Sequence, residues 1–421
     1  MGCRKIPWEV RKNGKTMKLL HLICDETYAK SALSLFNSAG LELNKETVQD
    51  FVCLRPSDIC HHTPSGPTRS IPINQWKLLA SEADIVIVHN LTKHEMKAVQ
   101  VMEPGPVIVW NGLGGDYYDL IRPWPLSLLT LQTALLWIRV KVMSSQASGL
   151  RASLRIRLEN IVRLLQTNVL SANRKQQLAK NFDFFSPVLF EEFDLLAKKL
   201  PSTRYLDWNY SPDSELFSPN EGLIEVPAAK EPSVLIGHSA AWENNHLDSL
   251  RFFQQVFPKN YSAVAALAYG DSQLVNAVES IGDRLLGDRF SVITEMVSNR
   301  DFALFVGSFS YLLLSSKRQI GAGTAILAFL QKTQLVLKRE NPLFSYFVRV
   351  GFRVHGFHEF TKGSPLPHLS ESDLNHNRNL AITLFRKDSE SARTVEALKV
   401  LIVEHSLRTK SERLGGIAGE D

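Results

Sequence analysis

A glycine-containing turn between a strand and a helix is the part of this 421-residue sequence best suited to bind an anion. The apolar run 311–314 has the length of a strand, residues 324–332 place apolar side chains at helical spacing, and 335–337 predict another strand. The first amides of such a helix have no intrahelical acceptor, and glycine lets a ligand approach the backbone. A guanidinium before the turn suits phosphate. The residues predicted to bind it are Arg318, Gln319, Gly321, Gly323 and Thr324. The alternative is a tight turn that only opens a core helix.

A second turn could add hydrogen-bond donors to the same anion. A strand at 233–237 is followed by Gly237, His238 and Ser239, and the next helix, predicted over 247–256, begins after Asn244 and Asn245. Either asparagine could instead be a helix N-cap, and Ser239 could only close a turn.

Strands alternate with helices from residue 18 onward. Strands are predicted at 18–24, 48–54, 84–89 and 106–110, helices at 28–39 and 93–101, and a loop at 56–72. This alternation predicts a doubly wound α/β domain, in which ligands lie beyond the carboxyl ends of the strands. His89 and Asp116 fall at such ends. A second α/β unit follows a polar linker at 210–232.

These patterns divide the chain into two domains and a C-terminal extension. The first covers residues 17–215 and the second 230–385; a helix at 386–407 is expected to cross back to the first, before a disordered tail at 408–421. The four cysteines form no CxxC pair, which favours a reduced, cytosolic compartment.

Residues 122–180 form an unusually basic segment of the first domain. Between 139 and 180 there are nine lysines and arginines but one acid, Glu159, and the preceding apolar run has Trp124 and Trp137 at its borders. The apolar run is too short to span a bilayer. The composition predicts docking on an anionic membrane surface, with an ordinary helical subdomain as the alternative. No nucleic-acid recognition motif accompanies the charge.

Several of these stretches together resemble glycosyltransferase family 56, the TDP-4-acetamido-4,6-dideoxygalactose:lipid II transferases of enterobacterial common antigen assembly. The match covers about residues 17–347 and is most specific in the second half. It departs from the family at Leu113, where members have tryptophan, and after Phe352. The residues that carry it in the second half are 234–239, 244–247, Leu250, Tyr269, Gly270, Glu295, Phe302, Arg318, Gln319, Gly321, Gly323, Thr324, Leu337, Arg339, Asn341 and Pro342.

The resemblance implies the GT-B fold, an α/β architecture in which two Rossmann-like domains face each other across a cleft. It also implies transfer of a 4-acetamido-4,6-dideoxyhexose from a TDP-sugar to a lipid-diphosphate-linked glycan, at the cytoplasmic face of the bacterial inner membrane. Tyr269 and Gly270 would then hold the base, and Asn341 would belong to the donor site. If the reaction inverts the anomeric centre, Asp116 is the first candidate for general base and His89 the second; Asp116 could also be only a turn or capping residue.

No cofactor is predicted besides the TDP-sugar substrate. No DxD-like pair stands at a strand end with metal spacing, so the chemistry is expected to be metal-independent. Three alternatives remain open: a related transferase of an O-antigen or exopolysaccharide pathway using another TDP-sugar, a non-catalytic membrane-docked scaffold, and a sugar-nucleotide epimerase or hydrolase.

Overall fold

The computed structural model describes residues 16–23, 26–43, 47–54, 68–122, 127–143, 170–210 and 231–417. Its strands form two sheets, one in each half of the chain, and the paired strands of both run parallel. Parallel sheets are covered by helices on both faces, so their strands are apolar throughout. The predicted linker 210–232 lies almost entirely outside the described residues.

The N-terminal sheet has seven strands in the order β3-β2-β1-β4-β5-β6-β7. They are β1 (Met17–Leu22), β2 (Thr47–Cys53), β3 (Thr68–Ser70), β4 (Ile85–His89), β5 (Val107–Asn111), β6 (Phe184–Ser186) and β7 (Arg204–Tyr205). Every residue of β4 and β5 is buried, because helices cover both faces of these central strands.

The C-terminal sheet has six strands in the order β10-β9-β8-β11-β12-β13. They are β8 (Glu231–Ile236), β9 (Ser262–Ala266), β10 (Phe290–Ile293), β11 (Phe309–Leu314), β12 (Gln334–Leu337) and β13 (His355–Gly356). In each sheet the strand order reverses beside the first strand, between β1 and β4 and between β8 and β11. Ligands of such sheets bind in the crevice at this reversal.

Helices connect the strands and cover both sheets. They are α1 (Glu26–Glu42), α2 (Ile73–Glu82), α3 (Lys93–Gln100), α4 (Tyr118–Ile121), α5 (Leu131–Met143), α6 (described over 170–178), α7 (Phe190–Leu196), α8 (His246–Val256), α9 (Ser272–Leu286), α10 (Asn299–Gly307), α11 (Ala322–Leu330), α12 (Pro342–Val350), α13 (Glu371–Phe385) and α14 (Lys387–Ile417).

The last helix returns to the N-terminal domain. Val395, Leu398 and Leu401 of α14 are buried in one core cluster with Ala32 and Phe36 of α1. The apolar stripe at helical spacing therefore has its partner in the first domain. Helix α14 is described as far as Ile417, into the stretch after residue 408 that the sequence predicts to be a disordered tail, and Arg408 in it bonds to Asp183 and to the Pro106 carbonyl.

Two further expectations need correction. The loop predicted over 56–72 contains β3, which pairs with β2 at the sheet edge. The basic segment 122–180 does not belong to the first domain as a whole. Leu129, just before α5, and Trp137, on α5, pack into the C-terminal core with Val234 and Leu250. The Trp137 side chain therefore does not itself face a membrane surface.

Two lysines of the same segment form ion pairs with acidic side chains of the protein. Lys141 pairs with Asp271 at 2.8 Å, and Lys175 is buried against Asp119 at 2.8 Å. Trp124 and the arginines at 151, 155, 157 and 163 lie outside the described residues. Among the helices that the structure does describe, none combines the length and the apolar composition needed to cross a bilayer.

Candidate functional site

The N-terminus of α11 opens into a cleft between the two domains. The helix begins at Ala322, two residues earlier than predicted, so Gly323 and Thr324 belong to its first turn. Gly321 is the N-cap with φ of 82°, a conformation that glycine adopts at no steric cost, and no side chain caps the helix. The first amides of α11 therefore have no intrahelical acceptor.

The cleft has a volume of about 650 Å³ and walls from both domains. Its N-terminal wall includes the residues that follow β5, β6 and β7, and its C-terminal wall includes those that follow β8, β9 and β10. Gln319, Gly321, Gly323 and Thr324 all line it. The turn predicted to bind phosphate thus faces the gap between the domains.

His238 stands beside this turn, and its ring nitrogen Nε2 is paired with the Ser239 hydroxyl. The Asn244 amide donates to Ser239 Oγ at 3.1 Å, and Ser239 Oγ lies 3.1 Å from His238 Nε2. The Ser239 hydroxyl can donate to Nε2 or accept from it, so the proton of a neutral ring fits on either Nε2 or Nδ1. This Nδ1 has no hydrogen-bond partner among the described residues, and a Cβ on Gly321 would lie 3.1 Å from it.

The imidazole of His238 is neutral at physiological pH. Burial, and then the positive charge of Arg318, lower the pKa of His238 to about 4. Ser239 and Asn244 are both buried, and their hydrogen bonds hold the ring of His238, which lines the cleft. The neutral ring thus presents Nδ1 beside the α11 amides, where it can donate to or accept from a bound group according to the tautomer.

Tyr269 lies at the mouth of the cleft with its side chain about half exposed, and its ring centroid is 6.3 Å from that of His238. Gly270 follows with φ of 125°, and the 240–270 bridge brings the Ala240 carbonyl so close that a Cβ would lie 2.5 Å from it. Gly237 likewise leaves no space for a side chain, since a Cβ there would lie 2.7 Å from His246 Nε2. Both glycines shape the turns, while Tyr269 offers a surface.

Arg318 lies at the contact between the domains, outside the residues that line the cleft. Its guanidinium carbon is 5.6 Å from the centroid of the Tyr118 ring, and its Nε is buried without a hydrogen-bond partner among the described residues. Its neighbour Gln319 donates its main-chain N–H to Tyr118 Oη at 2.8 Å. The Arg318 guanidinium, which was predicted to bind phosphate, therefore lies next to the turn and points towards the opposite domain.

The side chains of Asn245 and Asn341 bond to main-chain groups within the protein. Asn245 is fully buried at the start of α8, where its Oδ1 accepts from the Thr130 amide at 2.9 Å and its Nδ2 donates to the Leu128 and Glu243 carbonyls. It ties the segment before α5 to the C-terminal domain. Asn341 is the N-cap of α12 and accepts from the Leu343 amide at 3.0 Å. Neither side chain lines the cleft.

The carboxylate of Asp116 is occupied by main-chain and indole donors. One oxygen accepts from the Leu91 amide at 2.8 Å and from Trp110 Nε1 at 2.7 Å, and the other accepts from the Leu113 amide at 3.0 Å. Burial is the main reason that the pKa of Asp116 is raised. This geometry favours the turn-holding alternative over the role of general base.

His89 lies one residue layer behind the cleft. Its Nδ1 is 2.8 Å from the Tyr210 hydroxyl, which lines the cleft, and its Nε2 is 3.1 Å from Nδ1 of His21. Burial lowers the pKa of His89 to about 3, so the ring is neutral. The Tyr210 hydroxyl thus lies between His89 and the cleft.

Solved structures with the same architecture exist, although no protein-family model and no curated protein matches the sequence. The apo form of the lipopolysaccharide outer core galactosyltransferase WaaB superposes with a TM-score of 0.50 at 9% identity, covering 91% of this chain and 99% of that one. The fold is GT-B. A sucrose-phosphate synthase from Thermosynechococcus elongatus (TM-score 0.45, 12% identity, 97% and 100% covered) and the glycosyltransferase WaaG (0.43, 10%, 91% and 93%) are also similar.

Sequence reasoning missed a further candidate residue in the cleft. Asp207 is an exposed carboxylate contributed by the N-terminal wall, just after β7. It follows a two-residue strand, which is too short to produce an alternating pattern. No group of three or more His, Cys, Asp or Glu side chains in the described residues is arranged to hold a metal ion.

Proposed function

We propose that this GT-B protein is a glycosyltransferase that moves a 4-acetamido-4,6-dideoxyhexose from a TDP-sugar to a lipid-diphosphate-linked glycan. The observation that carries the proposal is the uncapped N-terminus of α11, which opens into the cleft between the domains. A diphosphate bound there would place its sugar between the two walls, where an acceptor held by the N-terminal domain can reach it.

The leaving diphosphate gains negative charge as the glycosidic bond breaks. Fixed dipoles that already point at this charge stabilise the transition state without reorganising. The amides of Ala322, Gly323 and Thr324 supply such dipoles, and Nδ1 of His238, in the tautomer that carries its proton there, supplies a neutral donor. Arg318 contributes positive potential from the domain contact, 5.6 Å from the Tyr118 ring.

The nucleoside would lie at the mouth of the cleft. The half-exposed Tyr269 ring offers a stacking surface, and Met296 and Val297, also exposed, line the same region after β10. Residues 322–330 of α11 contain no Asp or Glu that could grip a pair of ribose hydroxyls. This composition, together with the resemblance, supports a deoxyribonucleotide such as TDP.

The acceptor hydroxyl must lose a proton if the transfer inverts the anomeric centre. Asp207 is exposed in the cleft and bonded to the Tyr205 hydroxyl at 3.0 Å, so its carboxylate can reach a substrate. His89 lies behind the Tyr210 hydroxyl, and Asp116 already accepts three hydrogen bonds. We therefore propose Asp207 as the base to test first.

Docking on the cytoplasmic face of the inner membrane would bring the cleft to a lipid-linked acceptor. Leu131, Leu135 and Arg139 lie on one exposed face of α5, opposite the buried Trp137. Exposed leucines followed by cations suit the surface of an anionic membrane. The proposed contact is thus this outer face of α5 together with the basic residues that follow it.

A nucleotide screen by thermal shift tests the proposal. TDP is expected to raise the unfolding temperature more than UDP or GDP, because ligands that bind the folded state stabilise it by mass action. A scaffold would show no shift with any of the three. An epimerase or hydrolase would consume the TDP-sugar without acceptor, and a related transferase would bind TDP but not turn over the dideoxygalactose donor.

A further inference from the structure

A tyrosine hydroxyl of the opposite domain holds the turn that presents the α11 amides. Tyr118, buried in α4 of the N-terminal domain, accepts a hydrogen bond from the main-chain N–H of Gln319 at 2.8 Å. Gln319 stands two residues before the N-cap Gly321. The hydroxyl therefore fixes the backbone just where it enters the helix.

The C-terminal domain holds the same turn from its own side. The Asn341 amide donates to Ser316 Oγ at 2.8 Å, and Ser316 Oγ donates to the Arg318 carbonyl at 2.9 Å. The turn is thus fixed at consecutive residues, through the carbonyl of Arg318 from one domain and the amide of Gln319 from the other. Losing either bond would free one end of a short loop.

A buried carboxylate orients the Tyr118 hydroxyl. Glu192 of α7, fully buried, lies 2.5 Å from the hydroxyls of both Tyr117 and Tyr118, and it also accepts from the Leu189 amide. A phenol has one proton, and the Gln319 N–H can only donate. The Tyr118 proton therefore goes to Glu192, which leaves the oxygen free to accept from Gln319.

The two domains approach closely at this contact. Gly114 of the N-terminal domain has φ of 96°, and a Cβ there would lie 2.7 Å from Gln319 Oε1. The turn therefore has little space in which to shift while the contact is formed. Misplacing a binding group by about 1 Å is enough to cost a large factor in affinity or rate.

We infer that Tyr118, oriented by Glu192, is a positioning residue for the donor diphosphate, holding the turn that binds it without touching the donor. The inference rests on the proposed function, because it takes the α11 amides as the diphosphate site. It adds that donor affinity depends on the contact between the domains and not on the C-terminal domain alone.

A matched pair of variants tests the inference. Tyr118→Phe removes the hydroxyl that reaches Gln319. Tyr117→Phe removes the other hydroxyl that donates to Glu192. The Tyr117 hydroxyl accepts from the Val188 amide of its own domain at 3.3 Å, so it makes no contact with the turn. Both variants lose one buried bond to the same carboxylate, so similar losses of stability in urea are expected. Only Tyr118→Phe should weaken TDP binding, by roughly fivefold to tenfold in calorimetry.

Equal TDP affinities for the two variants would overturn the inference, even if the wild type binds TDP well. A wild type that binds no nucleoside diphosphate would instead overturn the proposed function and this inference with it. If Tyr118→Phe does not fold, Glu192→Gln keeps both rings and disturbs only the orientation of the hydroxyls. It should then weaken TDP binding and speed hydrogen exchange at the Gln319 amide; unchanged exchange and affinity would overturn the inference.

Discussion

Gly323→Ala should leave the stability of the folded protein equal or higher while it lowers the affinity for the donor. Gly323 is the second residue of α11, lines the cleft, and a Cβ placed there meets no heavy atom within 4 Å. The methyl group therefore causes no clash inside the protein. Alanine is more favourable than glycine in a helix by up to about 1 kcal/mol, and the first turn should gain part of that.

The open space that accepts the methyl group is the space through which a phosphate would approach the amides. We expect the unfolding temperature without ligand to stay equal or to rise by about 1–3 °C. TDP affinity should fall roughly tenfold or more, because the Cβ keeps the phosphate away from the backbone. Scanning calorimetry measures the first quantity and titration calorimetry the second.

Gly321→Ala is the control for this separation of stability from binding. With φ of 82° and a Cβ only 3.1 Å from His238 Nδ1, it should lose both stability and affinity. A Gly323→Ala protein that binds TDP as tightly as the wild type would refute the reasoning. The diphosphate would then not lie against the first turn of α11.

Four other predictions concern the rest of the site. Burial raises the pKa of Glu192 from 4.5 to about 7, so the folded state binds this proton more tightly than the unfolded state does. The free energy of unfolding should therefore fall by about 3 kcal/mol as the pH rises from 4.5 to about 7. Glu192→Gln should remove this pH dependence from urea titrations, and an unchanged pH dependence would contradict the prediction. Asp207→Asn should abolish transfer but not TDP binding, while Asp116→Asn should mainly lower stability; full activity of Asp207→Asn would exclude it as the base. Leu131→Ser with Leu135→Ser should release the protein from anionic vesicles, and unchanged cosedimentation would argue against the α5 contact. Transfer should survive excess chelator, and a loss restored only by a divalent ion would contradict metal independence.

Local pattern was sufficient to predict most of the strands and the glycine turn before α11. Apolar runs at β4 and β11 are bounded by turn residues, and the observed strands differ from the expected ones by one or two residues. Gly321 needs a positive φ and marks the start of α11 in the sequence itself. These features depend on neighbours in the chain, which the sequence contains directly.

The parts that sequence reasoning placed differently depend on distant partners. Trp137 is buried against residues about a hundred positions away, and an apolar helix looks the same whether it faces a membrane or a second domain. Asp116 stands at a strand end, but the Leu91 and Leu113 amides and the Trp110 indole donate to its carboxylate. Glu192 looks like a surface acid of a short helix until the fold brings both tyrosines onto it.

A crystal structure of the TDP complex would show directly where the diphosphate binds. We expect it at the N-terminus of α11, with an oxygen within about 3 Å of the main-chain nitrogens of Gly323 and Thr324 and a second contact to His238 Nδ1. A diphosphate bound elsewhere in the cleft, or on the outer surface of either domain, would contradict this expectation.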